Sequence, residues 1–145
     1  MEFISHSPAE TEALGEAWGR AAERGLVIAL SGDLGAGKTQ LVRGIARGLG
    51  CPGRVHSPTF TLVNVYAGGR LTLFHLDLYR LETPEQIHVA GVDEYLQPDG
   101  VAVIEWAERM FERRARNPEP GAIRRVKMEV VDDHTRRITY EDSGT

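Results

Sequence analysis

The run Gly32-Asp33-Leu34-Gly35-Ala36-Gly37-Lys38-Thr39 fits the phosphate-loop pattern G-x-x-x-x-G-K-[ST] at every position. That pattern carries a demand on its surroundings: a strand must deliver it and a helix must leave it. Both are present. Leu26-Val27-Ile28-Ala29-Leu30 reads as a short, fully buried strand. Leu41, Val42, Ile45, Ala46 and Leu49 fall on one face of a helix. The glycines allow successive backbone N–H groups to turn inward and let a phosphate approach. The new helix adds its positive end. Lys38 supplies a point charge for the β- and γ-phosphates, and the Thr39 hydroxyl a ligand for Mg²⁺.

The rest of the chain reads as alternating helices and strands. Ser7-Pro8-Ala9-Glu10 is a capping box with proline at the first helical position. It predicts a helix to about Glu23, with Ala13, Leu14, Ala17, Trp18 and Ala21 facing inward. The second helix is predicted to stop at Gly48 or Gly50. Phe60 to Tyr66 and Leu71 to Asp77 form a predicted hairpin around Ala67-Gly68-Gly69-Arg70. Thr83-Pro84-Glu85-Gln86 opens another helix, and Val101 to Ile104 is a buried strand ending on Glu105-Trp106. Ile123 to Val131 and Arg136 to Tyr140 form a last hairpin around Asp132-Asp133-His134. The expected fold is α/β: a single phosphate-loop domain over residues 1–145, three-layered, with a mixed rather than all-parallel sheet.

Composition narrows the class. The 145 residues are 41% hydrophobic and 26% charged, as in an ordinary globular domain. No apolar run approaches the ~20 residues of a membrane span, and no signal peptide is expected after Met1-Glu2-Phe3. The one cysteine, Cys51, is read as an incidental loop thiol and fits a reducing compartment. A net charge of −4 argues against a basic nucleic-acid binder. The charge is uneven: nine basic and five acidic residues between Arg109 and Arg137 leave that stretch at +4. A solvated surface and a basic face for a phosphate or an acidic partner both fit it.

A phosphate loop also needs a carboxylate for the metal and a group to orient water. Glu105 and Asp77 each end a predicted strand, where a carboxylate is costly to bury unless it binds something. Ser57-Pro58-Thr59 lies where nucleotide switches often supply a hydroxyl. Trp106 fits either a core residue, the commoner role for a tryptophan there, or a ring packed over a nucleotide, and His75 reads as a core or surface residue rather than a ligand. No H-x₃-H or C-x₂-C spacing suggests zinc.

Taken in order, GDLGAGKT, SPTFTLVNVY (Ser57 to Tyr66), FHLDLYRL (Phe74 to Leu81) and VIEWAER (Val103 to Arg109) resemble the bacterial TsaE (YjeE) family over residues 5 to 140. The resemblance implies a cytoplasmic Mg²⁺-dependent ATPase of low intrinsic activity, working with TsaD and TsaB. The product is the threonylcarbamoyl group on adenosine 37 of tRNA, and ATP turnover resets the complex between rounds. It further implies contact with tRNA only through the complex; no membrane association is expected, and the oligomeric state is left open with a monomer as the default expectation. Carried onto this chain, the nucleotide site is Gly32, Asp33, Leu34, Gly35, Ala36, Gly37, Lys38, Thr39 and Gln40, with Thr59 and Trp106. Thr39 and Glu105 match the Mg²⁺ ligands, Asp77 the required aspartate, and Lys38, Asp77 and Glu105 the catalytic set. Gln40 stands where the family often has threonine and is expected to begin the outer surface of the helix. No arginine finger lies in the loop; Arg80, Arg109 or a partner's arginine are the candidates. Two rivals remain at this stage. One is a small nucleoside or metabolite kinase with 109–116 as a lid; the other is a nucleotide-gated binding module. A GTPase is disfavoured, for N-K-x-D is missing.

Overall fold

The computed structural model describes residues 1–32, 35–55, 62–107 and 121–144. Its strands are β1 (Glu2–Ser5), β2 (Leu26–Gly32), β3 (Val63–Tyr66), β4 (Leu73–Asp77), β5 (Val101–Glu105), β6 (Ala122–Val130) and β7 (Arg136–Gly144). The helices are α1 (Pro8–Ala21), α2 (Lys38–Leu49) and α3 (Pro84–Val89), with a 3₁₀ turn at Val92–Leu96. The strands make one seven-stranded sheet in the order β1-β7-β6-β2-β5-β4-β3. β4, β5, β2 and β6 run parallel, while β3, β7 and β1 pair antiparallel. The mixed sheet expected from the two hairpins is therefore the one observed.

Alternation along the central strands builds two cores. Ile28, Leu30, Val101 and Val103 face α1 and α2, while Val27, Ala29, Ala102 and Ile104 face α3 and the 3₁₀ turn. That is the three-layer arrangement. The local signals act where expected. Of the capping box expected at α1, Ser7 Oγ accepts the Glu10 N–H without the reciprocal Glu10 bond, whereas Thr83 and Gln86 close a full capping box, and Gly50 ends α2 in the left-handed conformation. All five apolar residues assigned to the inner face of α2 are buried.

The face assigned to α1 needs correction. Trp18 is buried and Leu14 packs on the core as assigned, but Ala13, Ala17 and Ala21 are exposed, and Thr11, Gly15, Gly19 and Ala22 are buried in their place. The reason is a glycine seam with α2. A Cβ on Gly15 would stand 2.3 Å from the Leu41 carbonyl oxygen, and one on Gly44 would stand 2.0 Å from that of Glu12. Gly19 and Gly48 are equally tight, at 2.3 and 2.2 Å from the nearest carbonyl oxygen. Close backbone approach, not side-chain volume, chooses this face. α1 also ends earlier than expected, at Ala21 rather than Glu23.

Other boundaries shift modestly. β4 begins at Leu73 rather than Leu71, and β7 runs on to Gly144, so the acidic tail is strand. There Arg124 grips Asp142 through Nε–Oδ1 at 2.6 Å and Nη2–Oδ2 at 2.8 Å, its guanidinium lying over Trp18 and Tyr140. Cys51 is half-buried and donates to the Tyr66 carbonyl at 3.4 Å; burial pushes its thiol pKa up. Among the described residues, no helix is long and apolar enough to cross a membrane.

Candidate functional site

Parallel pairing decides what meets what. β2, β4, β5 and β6 share one direction, so their C-terminal ends share one edge of the sheet. The glycine loop leaves from the end of β2. Register sets Glu105 beside Leu30 and Asp77 beside Glu105. In this fold ligands sit in the crevice outside such strand ends. A cleft of about 590 Å³ lies there, lined among others by Gly35, Gly37, Lys38, Thr39, Gln40, Asp77, Glu105 and Trp106.

Within it the loop turns on Gly35 and Gly37, at φ +81° and +94°. L-residues rarely adopt that region, and glycine does so freely. Lys38 is 6% exposed. Its Nζ donates to the Gly32 carbonyl at 2.9 Å and lies 4.3 Å from the centre of the Trp106 ring. A carbonyl and a π-face thus hold the cation at the cleft. Trp106 itself sits at φ +61°, the one non-glycine residue with positive φ among those described. Such strain in a bulky residue marks a site held by its surroundings. Its ring stacks at a tilt on Tyr79, 5.2 Å between centroids.

The carboxylates differ. Glu105 is 4% exposed and His75 is fully buried. His75 Nε2 stands 2.5 Å from Glu105 Oε2, and His75 Nδ1 has no hydrogen-bond partner. A neutral imidazole with its proton on Nε2, donating to the carboxylate, leaves no buried N–H without an acceptor. Strand alternation puts His75, Asp77 and Glu105 on one face, the face toward α2. The sequence left His75 open between core and surface; it is buried, and what it holds was not foreseen. Asp77 is half-buried, and its Oδ1 accepts the Tyr79 N–H at 2.9 Å. Burial pushes its pKa above the usual carboxylate value and Glu105's charge adds to this, while the Tyr79 N–H and Lys38 pull it down.

Of the residues singled out in the sequence, Gly35, Gly37, Lys38, Thr39, Gln40, Asp77, Glu105 and Trp106 line the cleft, Ala36 is buried, and the Gly32 carbonyl accepts from Lys38. Gln40 faces the cleft rather than opening the helix's outer surface. Asp33, Leu34, Ser57, Thr59 and Arg109, with the 109–116 lid, lie outside the described residues. Arg80 is exposed and is not among the residues that line the cleft. Sequence reasoning missed two walls. One is the N-terminus of α1, with Ser7 and Thr11; the other is the β6–β7 turn, with Asp133, His134 and Arg136. Only the pairing of β1 with β7 brings these together, Ser5 beside Arg136, across nearly the whole chain.

Hard oxygen donors suit Mg²⁺, which takes one or two carboxylates and leaves the remaining positions to phosphate and water. Thr39 and Glu105 both line the cleft, and His75 engages Oε2 of Glu105 while leaving Oε1 for a cation. The donor set fits.

A glycine loop at the end of a central parallel strand, with carboxylates arriving from two neighbouring strands, defines an α/β phosphate-loop domain. The family model described as "Threonylcarbamoyl adenosine biosynthesis protein TsaE" matches residues 5–138. The chain belongs to this TsaE family. It is 42% identical over 139 residues to a tRNA threonylcarbamoyladenosine biosynthesis protein TsaE of Treponema pallidum, covering 96% of this chain and 98% of that one. A protein of the same name from Bacillus subtilis is 38% identical over 144 residues, covering 99% and 87%. The solved structure of Bacillus subtilis YdiB superposes with a TM-score of 0.77 at 32% identity, covering 100% of this chain and 86% of that one. The family's role is in the biosynthesis of threonylcarbamoyladenosine in tRNA.

Proposed function

We propose that this chain is a Mg²⁺-dependent ATPase that acts with TsaD and TsaB in placing the threonylcarbamoyl group on adenosine 37 of tRNA. ATP hydrolysis resets the complex between turnovers, in the cytoplasm, and tRNA is met only through the complex. The observation that carries the reading is the meeting of Lys38, Thr39, Asp77, Glu105 and Trp106 at one strand-end cleft beside the glycine loop.

Each residue then has a physical task. Loop amides and Lys38 neutralise charge on the β- and γ-phosphates, Lys38 exchanging its carbonyl contact for phosphate oxygens while keeping the Trp106 ring beneath it. Thr39 and Glu105 hold the cation, with Glu105 fixed from behind by His75. Bound Mg²⁺ supplies electrostatic stabilisation of charge on the transferring phosphoryl group. Asp77 orients the attacking water; its raised pKa keeps a proton acceptor poised nearer neutrality than an ordinary aspartate. Trp106 covers the lysine and limits water at the phosphates.

The test is hydrolysis by the purified chain, alone and with TsaB and TsaD of the same species, with Lys38→Ala as control. Strong stimulation that the variant loses is the expected result. Nucleotide binding with no stimulation would overturn partner activation and leave a gated binding module. Phosphate transfer to a nucleoside or metabolite would make the chain a kinase.

A further inference from the structure

The wall of the cleft that the sequence did not reveal contains an arginine whose position suits a ligand better than it suits the fold. β6 runs parallel to β2, with Met128 beside Gly32, so the turn after β6 rises at the same sheet edge as the glycine loop. Arg136 is the first residue of β7 on the far side of that turn. Its Nη2 donates to the carbonyl of Gly35, 101 residues away, at a long 3.3 Å. Its Nη1 donates to the carbonyls of Asp132 at 2.8 Å and Thr135 at 3.1 Å. All three acceptors are neutral. Arg20, Arg24, Arg47, Arg124 and Arg137 each pair with a carboxylate, and Arg70 and Arg43, which like Arg136 donate to carbonyls, do not line the cleft. Arg136 is half-buried, lines the cleft together with Lys38, and touches the loop itself.

A guanidinium held in place by a turn, with one N–H resting on a loop carbonyl, is preorganised for a stronger acceptor. The loop's own carbonyl is its weakest contact and the one an incoming anion would displace.

We infer that Arg136 is a phosphate-binding residue of this site, a second cation in cis facing Lys38 across the phosphate chain of a nucleoside di- or triphosphate. This rests on the nucleotide reading above. Arg136 then swings from the Gly35 carbonyl to a phosphate oxygen, while its bonds to Asp132 and Thr135 keep the turn closed over the ligand. The β6–β7 turn thereby becomes a sensor of site occupancy.

The experiment measures Mg²⁺-ADP and a non-hydrolysable Mg²⁺-ATP analogue by calorimetry at low and high salt. It compares wild type with Arg136→Ala, Arg136→Lys and Arg137→Ala. Thermal melts of the free proteins run alongside. A lost charge-assisted hydrogen bond predicts about ten- to hundredfold weaker binding for Arg136→Ala. It also predicts a shallower salt dependence, an intermediate loss for Arg136→Lys, and none for Arg137→Ala. Wild-type affinity in Arg136→Ala overturns the inference alone. So does a loss that leaves the salt dependence unchanged, or the unfolding of both Arg136 variants, which would make the residue a strut of the turn. A wild type that binds neither nucleotide overturns the nucleotide reading together with it.

Discussion

Replacing His75 with leucine tests how the site's buried carboxylate is tolerated. Glu105 is 4% exposed, and His75 Nε2 stands 2.5 Å from its Oε2. Leucine fills similar volume and donates nothing, so the carboxylate keeps its burial and loses its donor. A hydrogen bond to a charged group is worth about 1.5–3 kcal/mol, and a charged orphan costs at least as much. His75→Leu is therefore expected to cost about 2–3 kcal/mol in the nucleotide-free protein. With a urea slope of about 2 kcal/mol/M, the midpoint falls by about 1 M or more. Glu105→Met leaves the Nε2–H unsatisfied and also destabilises. Removing both partners removes both orphans, so the double variant should be cheaper than the sum of the singles by about 2 kcal/mol. Urea melts of the four proteins at pH 7 close the cycle. Costs that add within about 0.5 kcal/mol would refute the claim that this bond holds the carboxylate.

Three further outcomes are expected. Gly44→Ala should destabilise by about 1–3 kcal/mol, read as a lower Tm, because its Cβ would press 2.0 Å from the Glu12 carbonyl; in an open helix the same change stabilises. Asp77→Asn should raise the Tm of the free protein at pH 7. Folding raises the pKa of this carboxyl above its ordinary 3.8. Its protonated form is favoured by folding, and the associated stability is lost as pH rises from that value through the folded one. The gain in Tm should therefore grow across this window and vanish below it. Trp106→Gly should relieve the φ +61° strain yet weaken nucleotide binding, since Lys38 loses the ring beneath it; calorimetry and melts separate the two effects.

How much of this was legible beforehand depended on the range of each interaction. The loop, its strand and its helix are neighbours in sequence, so their pattern names them. The inner face of α2 follows from periodicity because its residues are large and apolar. The seam of α1 does not: Gly15 and Gly19 carry no hydrophobic signal, and counting apolar residues favoured Ala13 and Ala17, which face solvent. β1 is four residues long, and its partner β7 begins more than a hundred residues later. Nothing local marks it as a strand. The pairing of His75 with Glu105 spans thirty residues and depends on register alone. Arg136 lay in plain sight among many arginines, and only the parallel course of β6 and β2 aims its turn at the glycine loop.

The central claim is that this cleft holds the phosphates of a nucleotide with Mg²⁺. Titrating ATP analogue into the protein with and without Mg²⁺, followed through Trp106 fluorescence and calorimetry, tests it most directly. The account predicts saturable one-to-one binding that tightens with Mg²⁺, perturbs Trp106, and weakens at least tenfold in Lys38→Ala. Binding that ignores both Mg²⁺ and Lys38, or no binding at all, would contradict it.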